Sequence, residues 1–183
     1  MARKWNWKKK YGNLSVQQLL GLLKDDSFEN KYIPIYILGE LKAKEAVDDL
    51  IKILDFSENE VFGVEFESFA AIYALGKIKD KHAVEPLIKL LKNKTYDIIS
   101  AAAWALGEIG DTRAIPALEE ALIDDEFDYY WSTSSIPSIE DLAYDLCDSG
   151  GVGFVPIFRY IQDITFSDES SIDKSLRKLK KKK

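Results

Sequence analysis

Few residues in this chain have the type and spacing to do chemistry, and the densest group of them is acidic and aromatic. Asp124, Asp125, Glu126 and Asp128 place four carboxylates within five residues, followed at once by Tyr129, Tyr130 and Trp131. Carboxylates that close repel one another unless a cation or a basic partner relieves them. The aromatic neighbours add rigid contact area at low conformational cost. Asp55, Glu58 and Glu60, set among Phe56 and Phe62, bring the same mixture earlier in the chain. One reading is an acidic rim with aromatic anchors that grips a Lys/Arg-rich segment of a protein partner. The other tucks Phe56, Phe62, Phe127 and Trp131 into the core and leaves the acids to water.

Catalytic and cofactor chemistry is thinner. The chain has one histidine, His82, and one cysteine, Cys147. One thiol and one imidazole cannot build a Cys/His zinc site, and a lone cysteine forms no internal disulfide. Gly150-Gly151-Val152-Gly153 has no preceding strand and no following Lys-Ser/Thr, so it reads as a turn rather than a phosphate loop. Nothing positions a Ser/His/Asp site. The expectation is no catalytic residues, no cofactor and no metal.

The elements that must position the acidic residues follow from self-similarity. Three segments superimpose without gaps: Tyr36 to Leu54, Tyr73 to Leu91 and Trp104 to Leu122. Their glycines, Gly39, Gly76 and Gly107, are 37 and 31 residues apart. A degenerate fourth copy sets Leu146 forty residues after Leu106, with Cys147 in place of the glycine. Val16 to Leu23 matches Val47 to Leu54, which adds a half repeat at the front. In each copy, apolar residues at i, i+3, i+6 and i+7 (Val47, Leu50, Ile53, Leu54; Val84, Leu87, Leu90, Leu91) mark one buried helical face. Small residues such as Ala101, Ala102 and Ala103 let a first helix approach its neighbours closely. Lys79-Asp80 and Gly110-Asp111 supply the turn before a second helix.

The run Ala-Ala-Ala-Trp-Ala-Leu-Gly-Glu-Ile-Gly-Asp-Thr-Arg-Ala-Ile-Pro-Ala-Leu-Glu-Glu-Ala-Leu (Ala101 to Leu122) resembles the HEAT repeat, in the form often named after phycobilisome lyases. The resemblance implies an all-α fold, a right-handed α-solenoid of antiparallel helix pairs with about four to four and a half repeats and no β-sheet. Helix pairs are expected near 27–54, 65–92, 97–123 and 138–164, preceded by the half repeat 15–24, so that the solenoid covers 15–165. Residues 1–14 form a basic, aromatic N-terminal segment, and 166–183 a basic capping helix or tail with Ile172, Leu176 and Leu179 on one face. HEAT-like hydroxylases need repeated His-Glu iron ligands, which are missing here, and HEAT-like DNA glycosylases use a basic groove.

Extra residues enter twice between a second helix and the next first helix, around 55–65 and 124–137, so both acidic aromatic stretches belong to one edge of the solenoid. Charge distribution points the same way. Residues 1–10 and 174–183 hold twelve of the 25 Lys/Arg and no acid, which leaves 13 bases against 31 acids in the body between them. Such a body does not suit nucleic acid, although the basic ends suit an acidic surface, nucleic acid or membrane. No secretory signal or apolar run of membrane length is present, so the expected setting is cytoplasmic, as a monomer or weakly self-associating chain.

On these grounds the chain reads as a non-enzymatic interaction scaffold that binds a protein partner with a basic segment, through the acidic edge or the concave face. Two rivals remain: a phycobilin-lyase-like or cofactor-handling factor, and attachment through the basic tails.

Overall fold

The computed structural model describes residues 11–28, 30–54, 64–92, 96–125 and 171–181. Among them eight α-helices and three short 3-10 turns occur, and no strand. Helix α1 (Val16–Lys24) opens on a capping box. The Ser15 hydroxyl accepts from the Gln18 N–H and the Gln18 side chain accepts from the Ser15 N–H, satisfying two groups at the helix start. Helix α2 (Tyr32–Glu40) begins late enough that Pro34 falls in its first turn, where the missing N–H breaks no helical bond.

Three helix-turn-helix units follow one plan. The first helices are α2, α4 (Val64–Ile78) and α6 (Tyr96–Ile109); the second helices are α3 (Val47–Ile53), α5 (Val84–Leu90) and α7 (Ile115–Asp125). A left-handed residue reverses the chain after each first helix: Lys42 (φ 53°), Lys79 (φ 62°) and Gly110 (φ 77°). A 3-10 turn then leads into the second helix, at Lys44–Ala46, Lys81–Ala83 and Thr112–Ala114. Asp80 and Asp111 start the second and third of these turns by accepting from the N–H of His82 and Arg113. The first turn has Ala43 at that place and no side-chain cap.

First helices form a continuous row, α2 against α4 and α4 against α6, with the second helices packed beside them. The core runs through the whole row: Leu38, Leu75 and Leu106 from the first helices, Leu50, Leu87 and Leu118 from the second, all fully buried. The glycines allow the close approach. A Cβ on Gly39 would lie 2.6 Å from the Ala74 Cα, and one on Gly76 would lie 3.1 Å from the Ala105 Cα. The fourth place in the row is taken by α8 (Ser171–Lys180), which lies against α6 and α7 and buries Ile172, Leu176 and Leu179. The 138–164 helix pair lies outside the described residues.

Candidate functional site

The sequence-derived candidates fall largely beyond what can be described. Asp55, Glu58, Glu60, Glu126, Asp128, Tyr129, Tyr130 and Trp131 lie outside the described residues, while Asp124 and Asp125 end the backbone of α7. Two other surfaces can be built residue by residue.

In the first helices, one position per repeat is aromatic: Tyr36, Tyr73 and Trp104. The three rings stack nearly parallel, with centroids 5.2 Å apart for Tyr36 and Tyr73 and 5.7 Å for Tyr73 and Trp104. The Tyr73 hydroxyl donates to Glu40 at 2.7 Å, and Lys77 stands 5.5 Å over the Tyr73 ring. Burial first, and then the carboxylate beside it, push the Tyr73 hydroxyl far above the ordinary phenol range. Burial likewise raises Tyr36. This column is closed by its own stacking and gives a rigid wall whose ring edges reach solvent at Tyr36 and Trp104.

One helical turn further on, the same row alternates in charge: Glu40, Lys77, Glu108, Lys178. Glu40 meets Lys77 at 3.6 Å, and Glu108 is bound by both Lys178 and Lys79, the latter at 2.8 Å. Partial burial pulls the Glu108 carboxyl upward, but the two lysine contacts outweigh it and hold the group below the usual range. Each ion pair therefore joins one repeat to the next.

The second helices present the exposed positions Asp48, Lys52, Glu85, Lys89, Pro116 and Glu120. Spacing alone suggests i,i+4 pairs, Asp48 with Lys52 and Glu85 with Lys89. Apart from Asp49 with Lys52 inside α3, the side chains instead reach across repeats. Asp49 binds Lys52 at 3.0 Å and Lys24 of α1 at 3.4 Å; Arg113 lies 3.6 Å from Glu85; Lys92 lies 3.4 Å from Glu120; Lys180 lies 2.7 Å from Glu119. The hydrogen bond from Lys52 lowers the Asp49 carboxyl, and Arg113 does the same to Asp111 through a paired contact at 3.1 and 3.0 Å. Asp49, Glu85, Glu119 and Glu120 on this face are thus each neutralised by a basic neighbour.

The repeat alignment sets Tyr36, Tyr73 and Trp104 at the head of the three segments without joining them as a column. The signal was present, since the three stand at the repeat spacing, as do Glu40, Lys77 and Glu108. Among the described residues no group of three or more His, Cys, Asp or Glu could hold a metal ion. No helix among them is long and apolar enough to cross a membrane.

Stacked helix pairs with glycine contacts in register define the class: an α-solenoid, and residues 68–135 match a family model of HEAT repeats. The chain is similar in fold to the solved complex of CpcE and CpcF of phycocyanin lyase from Nostoc sp. PCC7120, with a TM-score of 0.58 and 22% sequence identity. That match covers 92% of this chain and 66% of the other, so this chain spans less than two thirds of its length. No curated protein matches the sequence.

Proposed function

We propose that this repeat scaffold holds a protein partner, and that the acidic aromatic edge is its point of recognition. The observation that carries the reading is the cross-repeat pairing of charges on both described faces. Glu40, Asp49, Glu85, Glu108, Glu119 and Glu120 all have basic partners within the solenoid. The acids of the body are densest elsewhere, at Asp124, Asp125, Glu126 and Asp128. A basic polypeptide segment relieves their mutual repulsion, while Tyr129, Tyr130 and Trp131 supply contact area. The solved neighbour, a complex of two chains, supports the use of this fold in protein pairing.

The test is affinity capture with mass spectrometry, comparing the natural chain with a variant bearing Asp124→Asn, Asp125→Asn, Glu126→Gln and Asp128→Asn. Weaker capture at low salt with melting temperature preserved or slightly raised is expected. Unchanged capture removes the edge from the account.

The likeness to a phycocyanin lyase complex favours a second reading, a factor that handles a chromophore or cofactor. A visible absorbance band in the purified protein separates it from the first.

A further inference from the structure

Two segments of this chain compete on paper for the fourth place in the row of first helices. By the repeat spacing, the segment around 138–148 should stand there, with Leu146 in the place of Leu106. The place is held by α8, in a register that sets Ser175 level with Ala74 and Ala105, and Lys178 level with Lys77 and Glu108. Two residues of α6 explain the choice. Gly107 lies so close to the incoming helix that its added Cβ would be 3.1 Å from the Ser175 Cα, so the facing residue must be small. Glu108 sits one step along, where Lys178 joins Lys79 in neutralising it. Helix α8 supplies Ser175 and Lys178, whereas the repeat alignment would bring Asp145 and Asp148 to those two places. That substitutes a buried charge for a small side chain and like charge for an ion pair.

Gly107 and Glu108 thus select the helix that ends the stack, and further contacts secure it. Ile172, Leu176 and Leu179 fill the apolar groove between α6 and α7, and Lys180 reaches Glu119 of α7 at 2.7 Å. All of these are side-chain contacts between segments separated by residues 126–170. At up to ~3.5 Å per residue, the maximum reach of a segment that long is many times the ~10 Å between packed helices, so chain length does not bar α8 from the seat of a second copy.

We propose that the seat on α6 and α7 is a helix-docking site, filled in cis by α8 and open in trans to the α8 of a second copy. The second copy is the occupant because its α8 meets Gly107, Glu108 and Glu119 with the same residues, and reciprocal exchange closes a two-fold dimer with no new interface. Covalent connection favours the cis helix over one from another molecule, so exchange requires concentrated protein.

Two charge-reversed chains test this. One carries Glu108→Lys, the other Lys178→Glu. Each alone sets like charges across its own seat, but in a swapped pair of the two both seats regain opposite charges. Native mass spectrometry of the mixture, with one chain isotopically labelled, should show the mixed dimer at roughly tenfold or more above either homodimer, since like-charge contacts are removed at both seats. A single chain bearing both reversals regains the pair between positions 108 and 178 but leaves Lys79 beside the new base, so it should melt above either singly reversed chain and below the natural protein, which establishes that the substitutions are compatible with folding. A monomeric mixture, or homodimers as abundant as the mixed species, overturns the proposal. So does a doubly reversed chain that melts no higher than the singly reversed chains, because the pair between Glu108 and Lys178 then does not govern the seat.

Discussion

Gly107 lies against Ser175 across the contact between α6 and α8, as Gly39 lies against Ala74 and Gly76 against Ala105. Three successive helix contacts thus rest on one device, a glycine meeting a small residue. Adding a methyl group at Gly39 drives it into backbone, since the Ala74 Cα would be only 2.6 Å away. Gly39→Ala should therefore cost about 1–3 kcal/mol from overpacking, despite the better helix propensity of alanine. Gly21 of α1 is the control, with nothing within 4 Å of an added Cβ. Gly21→Ala should stabilise by about 0.5–1 kcal/mol. Urea unfolding of the two variants checks both signs.

The core of the central repeats makes a simpler demand. Leu106 is 1% exposed, between the other first helices and the second-helix row. Leu106→Ala should cost about 2–5 kcal/mol through lost burial and the cavity left behind. A change below about 1 kcal/mol in denaturant unfolding would contradict this packing.

Turn strain predicts a gain. Lys42 is left-handed at φ 53°, a conformation that disfavours a side chain, and in the third repeat the equivalent residue is Gly110. Lys42→Gly should stabilise by up to about 1 kcal/mol, after the entropy that glycine loses on folding. A lower midpoint in thermal unfolding would show that the Lys42 side chain matters more than its backbone.

Tyr73→Phe keeps the ring between Tyr36 and Trp104 and deletes only the hydroxyl that Glu40 accepts. The expected cost is about 0.5–1.5 kcal/mol, the net worth of one such bond. Loss of the stack, read from near-ultraviolet dichroism, should require Tyr73→Ala instead.

The lowered Glu108 carboxyl sets a pH dependence. Its folded value lies below the ordinary 4.5, so its stabilising contacts with Lys178 and Lys79 are fully present above that value. They are lost as pH falls through the depressed folded value, because the unfolded chain then binds the proton first. Glu108→Gln should therefore lower the melting temperature at neutral pH and have a much smaller effect at pH values well below 4.5. An equal effect at both ends would mean that the ion pairs add nothing to α8 docking.

Local chemistry was legible in the chain alone. The Leu-Gly repeats, the apolar spacing of Val84, Leu87, Leu90 and Leu91, and the turn residues Asp80 and Asp111 specify helix pairs, because each acts within a few residues of itself. The acidic and aromatic character of residues 124–131 was equally plain, although spacing does not say what lies beside it. Relations between repeats were the work of the tertiary structure. Spacing alone suggested Glu85 with Lys89, but Glu85 lies beside Arg113 of the next repeat. The same limit hid the stack of Tyr36, Tyr73 and Trp104, since rings meet only when neighbouring helices settle in register. It also decided which segment ends the row. Repeat spacing placed a further copy around Leu146, outside the described residues, and did not foresee that α8 lies against α6 with a small residue toward Gly107 and a base toward Glu108. Ser175 and Lys178 supply these from the far end of the chain, where no sequence period reaches.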